Sequence, residues 1–335
     1  MNSVQQLNSL ATSYQDLFSI GTCVNTQNLR THRELIIKHF NSITAENEMK
    51  FESLHPEEGV YTFEAADQII QFAEDNYKLV RGHTLVWHNQ TPKWVFHQAN
   101  GQYVTREQLL ERMKDHITTV VKRYREHIFC WDVVNEAIED KTDKLLRTSP
   151  WLEIIGPDFI EKAFIYAHEA DPQALLFYND YGESAPQKRD KIVQLVTDLI
   201  AKGIPVHGIG LQCHWNIYGP NISQIREAIE KYAALGLQIH ITELDMSVYS
   251  HDDQRTDLTE PTTEMLDLLA ERYESVFGLF REYADVITNV TFWGPADDQS
   301  WLQSFPVRSR KNWPLLFDYE QKPKKAFYKI IDFAK

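Results

Sequence analysis

The sequence predicts a single (β/α)8 barrel from three observations. Eight apolar, strand-like runs alternate with amphipathic segments along the 335 residues, as expected when each strand is followed by a helix. Nearly all of these runs end in polar or aromatic residues, which a barrel would gather at one face. No Gly/Ser-rich, Pro-rich or low-complexity tract divides the chain, so residues 1–335 are predicted to form one domain. An open sheet would show the same alternation, and the polar strand ends are what favour the barrel.

The predicted strands are short runs rich in β-branched and aromatic residues. In chain order they span residues 18–24, 41–47, 79–87, 128–136, 174–180, 208–215, 238–245 and 289–294. The clearest helix spans residues 108–125, where Leu109, Met113, Ile117 and Val120 recur at steps of three and four and form one apolar stripe. Further helices are predicted over residues 190–201, 222–234 and 264–283.

Composition excludes several classes of protein. Hydrophobic residues make up 43% of the chain, which is enough for a packed core. The net charge of −14 and the absence of a basic stripe argue against a nucleic-acid partner. No apolar run approaches the roughly 20 residues of a membrane span, so no membrane partner is expected. The oligomeric state is not predicted.

The first residues of the chain lack a basic segment followed by an apolar stretch, so no signal peptide is expected. The chain is therefore predicted to be cytoplasmic, although a mature form whose signal had been removed would look the same. The three cysteines fall in apolar runs without CxxC spacing, and no His-Glu-x-x-His pattern occurs. We therefore expect buried thiols, with no disulfide, metal or cofactor. His240 is interpreted as a core histidine.

Two glutamates at strand ends carry the functional hypothesis. Glu136 closes the fourth predicted strand, and Glu243 lies near the tip of the seventh. Hydrolysis of an acetal needs a proton on the leaving oxygen and stabilisation of an oxocarbenium-like centre, and two carboxylates supply both. Two close carboxylates that are partly removed from water differ in protonation, because the second charge is costly beside the first. We predict Glu136 as the acid/base and Glu243 as the nucleophile, whereas either glutamate alone would suggest an ion pair or a helix cap.

Residues near these strand ends suit a carbohydrate. The Asn135 amide can bond to the hydroxyl next to the reacting carbon, a contact that strengthens in the transition state. His214 could orient Glu243, with Asp245 behind it. Aromatic rings that could stack on sugar faces flank the same strand ends: Trp87, Trp293 and Trp301.

Six motifs together resemble glycoside hydrolase family 10, the endo-β-1,4-xylanases, over essentially the whole chain. They are Thr44-Ala-Glu-Asn-Glu-Met-Lys50, Arg81-Gly-His-Thr-Leu-Val-Trp-His88, Trp131-Asp-Val-Val-Asn-Glu-Ala137, Gly210-Leu-Gln-Cys-His214, Ile241-Thr-Glu-Leu-Asp245 and Phe292-Trp-Gly294. The resemblance implies a (β/α)8 barrel and retaining hydrolysis of xylan or xylo-oligosaccharides, without a cofactor. The sequence shows neither a signal peptide nor a carbohydrate-binding module, and in this respect it resembles the intracellular branch of the family. That resemblance implies short imported oligosaccharides as substrates.

The resemblance also implies roles by motif position, with Glu136 as the acid/base and Glu243 as the nucleophile. Sugars on the non-reducing side would be bound by Glu46, Asn47, Lys50, His83, Trp87, His88 and Gln90. Gln212 and His214 would lie beside the reacting ring. Trp293 and Trp301 would lie beneath it or cover it. Tyr181 would stack on the sugar of the leaving group.

Two departures from the family pattern concern the leaving-group side. Gly182 stands where Asn often follows the Asn-Asp-Tyr motif, and Pro295 follows Trp293-Gly294. Two other functions stay open on the sequence. One is a related barrel glycosidase that cuts β-glucosides or mixed glucans, and the other is a catalytically silent sugar-binding protein.

Overall fold

The chain forms a closed barrel of eight parallel strands, which confirms the predicted fold class. The computed structural model describes residues 8–333; the predicted domain also includes residues 1–7 and 334–335, which lie outside the described residues. The strands are β1 (Ser19–Val24), β2 (Ser42–Ala45), β3 (Leu79–Val86), β4 (Ile128–Asn135), β5 (Leu175–Asp180), β6 (Gly208–Leu211), β7 (His214–Asn216), β8 (Gln238–Ser247) and β9 (Ile287–Phe292). β1 pairs with β2 and β9, and β6 pairs with β5 and β8, so the sheet closes on itself. The short β7 pairs only with the outer end of β8.

Helices pack around this barrel. They are α1 (Leu10–Ser13), α2 (Asn28–Thr31), α3 (Arg33–His39), α4 (Phe51–Leu54), α5 (Glu64–Asp75), α6 (Lys93–Phe96), α7 (Arg106–Arg123), α8 (Pro150–Ile155), α9 (Phe159–Ala170), α10 (Pro186–Ala201), α11 (Ile222–Ala233), α12 (Thr263–Glu282) and α13 (Lys325–Ile331). α7 begins earlier than its apolar stripe indicates because Thr105 and Gln108 form a capping box. Within residues 8–333, every helix is too short or too polar to cross a membrane.

The sixth predicted strand, 208–215, is wrong as a single element. β6 ends at Leu211 and β7 starts at His214, because Cys213 adopts a left-handed backbone with φ of +59°. A strand cannot continue through this conformation, which is uncommon for residues other than glycine. The break alters the strict alternation of side chains at this strand end, where Gln212 contacts Glu136 and His214 contacts Glu243.

A buried charged network fills part of the barrel interior below these strand ends. Arg81 donates from Nη2 to Asp132 Oδ1 at 2.7 Å and from Nε to His240 Nδ1 at 3.1 Å. His83 Nδ1 lies 2.9 Å from Asp132 Oδ2. Burial raises the pKa of Asp132, but the Arg81 charge and the His83 contact outweigh it and lower that pKa to about 2. His240 is also bonded to Thr288 at 3.0 Å, which confirms it as a satisfied core histidine.

Replacing Asp132 with Asn is expected to destabilise the barrel by about 3–5 kcal/mol, because Arg81 would stay buried without its counter-charge. Chemical denaturation followed by circular dichroism measures this loss. Glu161→Gln is the matched control, since Glu161 pairs with Lys202 at the surface. Exposed pairs contribute at most about 1 kcal/mol. Equal losses in the two variants would contradict the role given to the buried pair.

Candidate active site

The two predicted catalytic glutamates lie at the C-terminal ends of opposite parts of the barrel. Glu136 follows β4, and Glu243 lies inside β8. Trp87, Gln212 and Trp293 follow β3, β6 and β9 in the same way. Because all barrel strands are parallel, these ends meet at one face, where barrel enzymes place their chemistry.

Glu136 is held in a fixed orientation by one hydrogen bond on each carboxyl oxygen. Trp87 Nε1 donates to Oε2 at 2.8 Å, and Gln212 Nε2 donates to Oε1 at 2.9 Å. The Glu136 backbone is left-handed, with φ of +57°, and its N–H donates to the Asn179 carbonyl at 2.9 Å. This turn at the end of β4 leaves the carboxyl group half-buried in the cleft.

Glu243 is more deeply enclosed, with 5% of its surface exposed. Asn179 Nδ2 donates to its Oε1 at 2.9 Å, and His214 Nε2 lies 3.0 Å from its Oε2. Burial alone raises the pKa of Glu243, but the His214 hydrogen bond and the nearby imidazoles of His83 and His214 outweigh it. The pKa of Glu243 therefore lies below its ordinary value, as a nucleophilic carboxylate requires.

A chain of contacts runs behind Glu243 to the edge of the cleft. His214 Nδ1 lies 3.1 Å from Asp245 Oδ1, and Trp301 Nε1 donates to Asp245 Oδ2 at 2.7 Å. Burial disfavours a charged His214, but Asp245 and Glu243 outweigh it and raise the pKa of His214 to about 10. A protonated His214 at neutral pH therefore keeps Glu243 ionised and orients it.

Three buried amides connect the two carboxyl groups. The Asn135 side chain lies 2.9 Å from Asn179 Nδ2 and 3.2 Å from Gln212 Nε2. Asn179 also contacts Glu243, and Gln212 also contacts Glu136. One rigid amide cluster thus sets the relative positions of both glutamates.

Asn179 is the residue of this cluster that the sequence analysis missed among the predicted site residues. It lies in the fifth predicted strand, 174–180, two positions before Tyr181, which was predicted to stack on the sugar of the leaving group. Thr242 Oγ1 donates to Asn179 Oδ1 at 2.7 Å, and that bond directs the amide nitrogen toward Glu243. The contacts of Asn179 with Thr242 and Glu243 on β8 join residues that are far apart in the sequence. The position of Asn179 near the end of β5 is the one sequence feature that could have indicated them.

The residues predicted for the non-reducing side form a second polar cluster. Lys50 Nζ donates to Asn47 Oδ1 at 3.0 Å and to Gln90 Oε1 at 2.9 Å. The ammonium also lies 5.0 Å from the centre of the Trp87 ring, which links this cluster to Glu136. Burial lowers the pKa of Lys50, while burial raises the pKa of Glu46.

The remaining predicted sugar-binding rings surround the carboxyl groups. Trp293 lies edge-to-face between two imidazoles, at 5.5 Å from His83 and 6.3 Å from His214 between ring centres. His88 packs against Trp87 at 5.9 Å. Burial and the Arg147 charge lower the pKa of His88 to about 4, so it is neutral and can donate and accept hydrogen bonds.

Tyr181 borders the predicted leaving-group side. Lys188 Nζ lies 3.4 Å above its ring centre, and Arg147 Nη2 donates to its hydroxyl at 2.7 Å. Lys188 therefore covers one face of the ring, and the Arg147 guanidinium carbon lies 5.8 Å from the ring centre. Gly182 has φ of +62°, a conformation that Gly and Asn adopt more readily than other residues, so this departure preserves the backbone path. Pro295 lies buried in the loop after β9.

A (β/α)8 barrel with two carboxyl groups fixed across one polar, aromatic cleft defines a barrel glycoside hydrolase. Within residues 8–333, no group of three or more His, Cys, Asp or Glu side chains is arranged to hold a metal ion. The chain belongs to glycosyl hydrolase family 10, whose sequence model matches residues 9–333.

Relatives in this family match the chain over nearly its full length. Endo-1,4-beta-xylanase B of Paenibacillus barcinonensis is 59% identical over 326 residues, which cover 97% of this chain and 98% of that protein. An endo-1,4-beta-xylanase of Geobacillus stearothermophilus is 56% identical over 324 residues, with 97% and 98% covered. The crystal structure of xylanase XynB from Paenibacillus barcinonensis, complexed with a conduramine derivative, is similar with a TM-score of 0.96 and 59% identity, and the match covers 98% of this chain and 99% of that one.

Proposed function

We propose that the chain is an endo-1,4-β-xylanase that hydrolyses internal bonds of xylan or xylo-oligosaccharides with retention of configuration. The observation that carries the proposal is the contrast between the two carboxyl groups. Glu243 is enclosed and kept ionised by His214, whereas Glu136 is half-buried and faces the cleft. The similarity to named xylanases supports the choice of xylose-based substrates.

The first step of the proposed reaction forms a bond between Glu243 and the anomeric carbon. The bond from this carbon to the leaving oxygen breaks as Glu136 gives its proton to that oxygen. The positive character that develops on the sugar ring is stabilised by the remaining charge of Glu243. The hydrogen bonds to Glu136 from Trp87 and Gln212 hold its carboxyl group in place for this transfer.

The second step releases the sugar. Glu136 has given up its proton in the first step, so it is now a carboxylate and can take a proton from water. The resulting hydroxide-like oxygen attacks the anomeric carbon, the ester bond breaks, and Glu243 regains its charge. Two displacements on opposite faces return the original β-configuration.

Sugar binding is proposed to divide between the two ends of the cleft. The cluster of Asn47, Lys50 and Gln90 offers donors and acceptors to sugar hydroxyls on the non-reducing side. Glu46 lies at the same end, where Asn25 Nδ2 donates to it at 3.0 Å. On the leaving-group side, the half-buried ring of Tyr181 is proposed to stack on a sugar.

We further propose that the chain acts inside the cell on short imported oligosaccharides. The three cysteines are free and buried, which suits a reducing compartment. Cell fractionation with an antibody to the chain tests the location, and the ratio of kcat/KM on xylotetraose to that on polymeric xylan tests the substrate length. Recovery from the culture medium, or a clear preference for the polymer, would contradict this proposal.

Product analysis on matched oligosaccharides tests the proposed activity. Xylotetraose is expected to be cleaved to xylobiose and shorter products, and cellotetraose is expected to react far more slowly. Glu243→Gln serves as the inactive control for contaminating hydrolases. Preference for cellotetraose would indicate a glucan-cleaving glycosidase, and tight binding of xylotetraose without turnover would indicate a sugar-binding protein.

Replacing Asn179 with Ala is expected to lower kcat/KM on xylotetraose roughly 10- to 100-fold, because a hydrogen bond to a charged group contributes about 1.5–3 kcal/mol. Removing a donor from the ionised form raises the pKa of Glu243, so the acidic limb of the pH profile should move to higher pH. The measurement is kcat/KM across the pH range.

The matched control is Thr242→Val, which removes the hydroxyl that orients the Asn179 amide but retains the donor. A smaller loss of kcat/KM and a smaller displacement of the acidic limb are expected for this control. Unchanged kcat/KM and an unchanged acidic limb in Asn179→Ala would refute the positioning role of Asn179.

A further inference from the structure

Phe305 is a large apolar side chain that lies exposed beside the candidate active site. It is 56% exposed, although exposed phenylalanine contributes little to a folded core. Its ring stacks on the Trp301 indole with ring centres 5.1 Å apart and an angle of 14° between the planes. Core packing therefore does not explain why the exposed Phe305 ring lies parallel to the Trp301 ring of the cleft.

Trp301 belongs to the group of residues that surrounds Glu243. Its indole N–H donates to Asp245 at 2.7 Å, and its ring centre lies 4.9 Å from that of His214. His214 in turn contacts Glu243 at 3.0 Å. The indole therefore borders the place where the sugar attached to Glu243 must lie.

One hydrogen bond at the indole nitrogen fixes an edge of Trp301 but not the tilt of its ring. Phe305 covers one face of the indole in a nearly parallel stack, so a sugar that stacks on Trp301 would contact the opposite face. Offset-stacked aromatic pairs stabilise each other beyond the area they bury. The stack and the hydrogen bond to Asp245 together define both the edge and the plane of the indole.

The loop that carries Phe305 is anchored at its base. Ser304 N donates to the Trp301 carbonyl at 3.0 Å, and Arg310 N donates to the Gln303 carbonyl at 3.2 Å. Arg310 is buried, with its guanidinium 4.2 Å from the Tyr249 ring centre. Since both ends of the loop are fixed, the exposed ring of Phe305 is held against Trp301.

We infer that Phe305 is a positioning residue that holds the Trp301 indole in the plane needed to stack on the sugar beside Glu243. The inference rests on the proposed function and deepens it, because it assigns a residue outside the cleft to binding of the reacting xylose. Phe305 acts through Trp301 and does not itself contact the sugar.

A double-mutant cycle between Phe305 and Trp301 tests this inference. Phe305→Ala is expected to lower kcat/KM on xylotetraose about three- to tenfold, the effect of one lost aromatic pair. Phe305→Tyr retains the ring and should stay within about twofold of the parent. In a Trp301→Ala background, Phe305→Ala should have no further effect, because the residue through which it acts is gone.

The matched control is Tyr77→Ala, since Tyr77 is 95% exposed and lies just before β3, at the opposite end of the barrel from the cleft. This variant should leave kcat/KM unchanged, and the Phe305 variants should unfold at the same temperature as the background in which they are made. The same cycle is measured as xylotetraose affinity by calorimetry in a Glu243→Gln background, where no turnover is needed.

The outcomes separate the inference from the proposed function. Equal losses from Phe305→Ala with and without Trp301, or no loss in either background, would overturn the inference. Failure of the parent enzyme to cleave xylotetraose would overturn the proposed function alone, because the calorimetric cycle still reports whether Phe305 acts through Trp301.

Discussion

Glu243→Gln is expected to lower kcat on xylotetraose roughly ten-thousandfold or more, because an amide cannot form the ester intermediate. The substitution keeps the shape of the side chain and one oxygen for the contact with Asn179 or His214. Binding should therefore persist while chemistry is lost. Initial rates at saturating substrate and calorimetric affinity measure the two effects separately.

Azide provides a direct check on the role of Glu243. In Glu243→Ala, azide can enter the vacated space and attack the anomeric carbon of an activated aryl xylobioside, which should yield the α-xylosyl azide. Glu161→Gln, at the surface, is the control and should keep parental activity. Near-normal turnover in Glu243→Gln, or a β-configured azide product from Glu243→Ala, would refute the nucleophile assignment.

Glu136→Gln is expected to have an effect that depends on the leaving group. With xylotetraose, whose leaving group needs protonation, kcat should fall about 100- to 10,000-fold. With a dinitrophenyl xylobioside, whose leaving group needs no proton, the first step should stay fast and the enzyme ester should accumulate. A burst of dinitrophenol followed by slow turnover is the expected observation.

Azide again distinguishes the roles of the two glutamates. In Glu136→Ala it needs no general base, so it should accelerate release of the accumulated ester and give the β-xylosyl azide. The opposite configurations expected for the Glu136 and Glu243 variants assign the two residues to opposite faces of the sugar. Equal losses of kcat on both substrates, without a burst, would contradict the acid/base role of Glu136.

The positions of the two glutamates could be predicted because they depend on local patterns. Glu136 directly follows an apolar strand and Glu243 lies near the end of another, and parallel strands bring such ends to one face of a barrel. The closed barrel was favoured by the polar and aromatic residues at the strand ends, because the alternation of strands and helices would also fit an open sheet. The aromatic residues of the cleft were recognised because Trp87 and Trp293 directly follow strands.

Features that depend on contacts across the barrel could not be predicted from these patterns. The break at Cys213 gives no composition signal, because cysteine is unremarkable in a strand and φ depends on the surroundings. Asn179 contacts Glu243 across 64 positions of sequence, and Arg81 contacts Asp132 across 51. Periodicity identifies which face a residue occupies but not its partner on a distant strand.

Proton NMR of xylotetraose during the first minutes of hydrolysis tests the central claim most directly. The double displacement by Glu243 and Glu136 predicts that the newly formed reducing end appears first as the β-anomer, before mutarotation adds the α-anomer. Initial release of the α-anomer would show a single displacement by water and would contradict the account of how these two glutamates work.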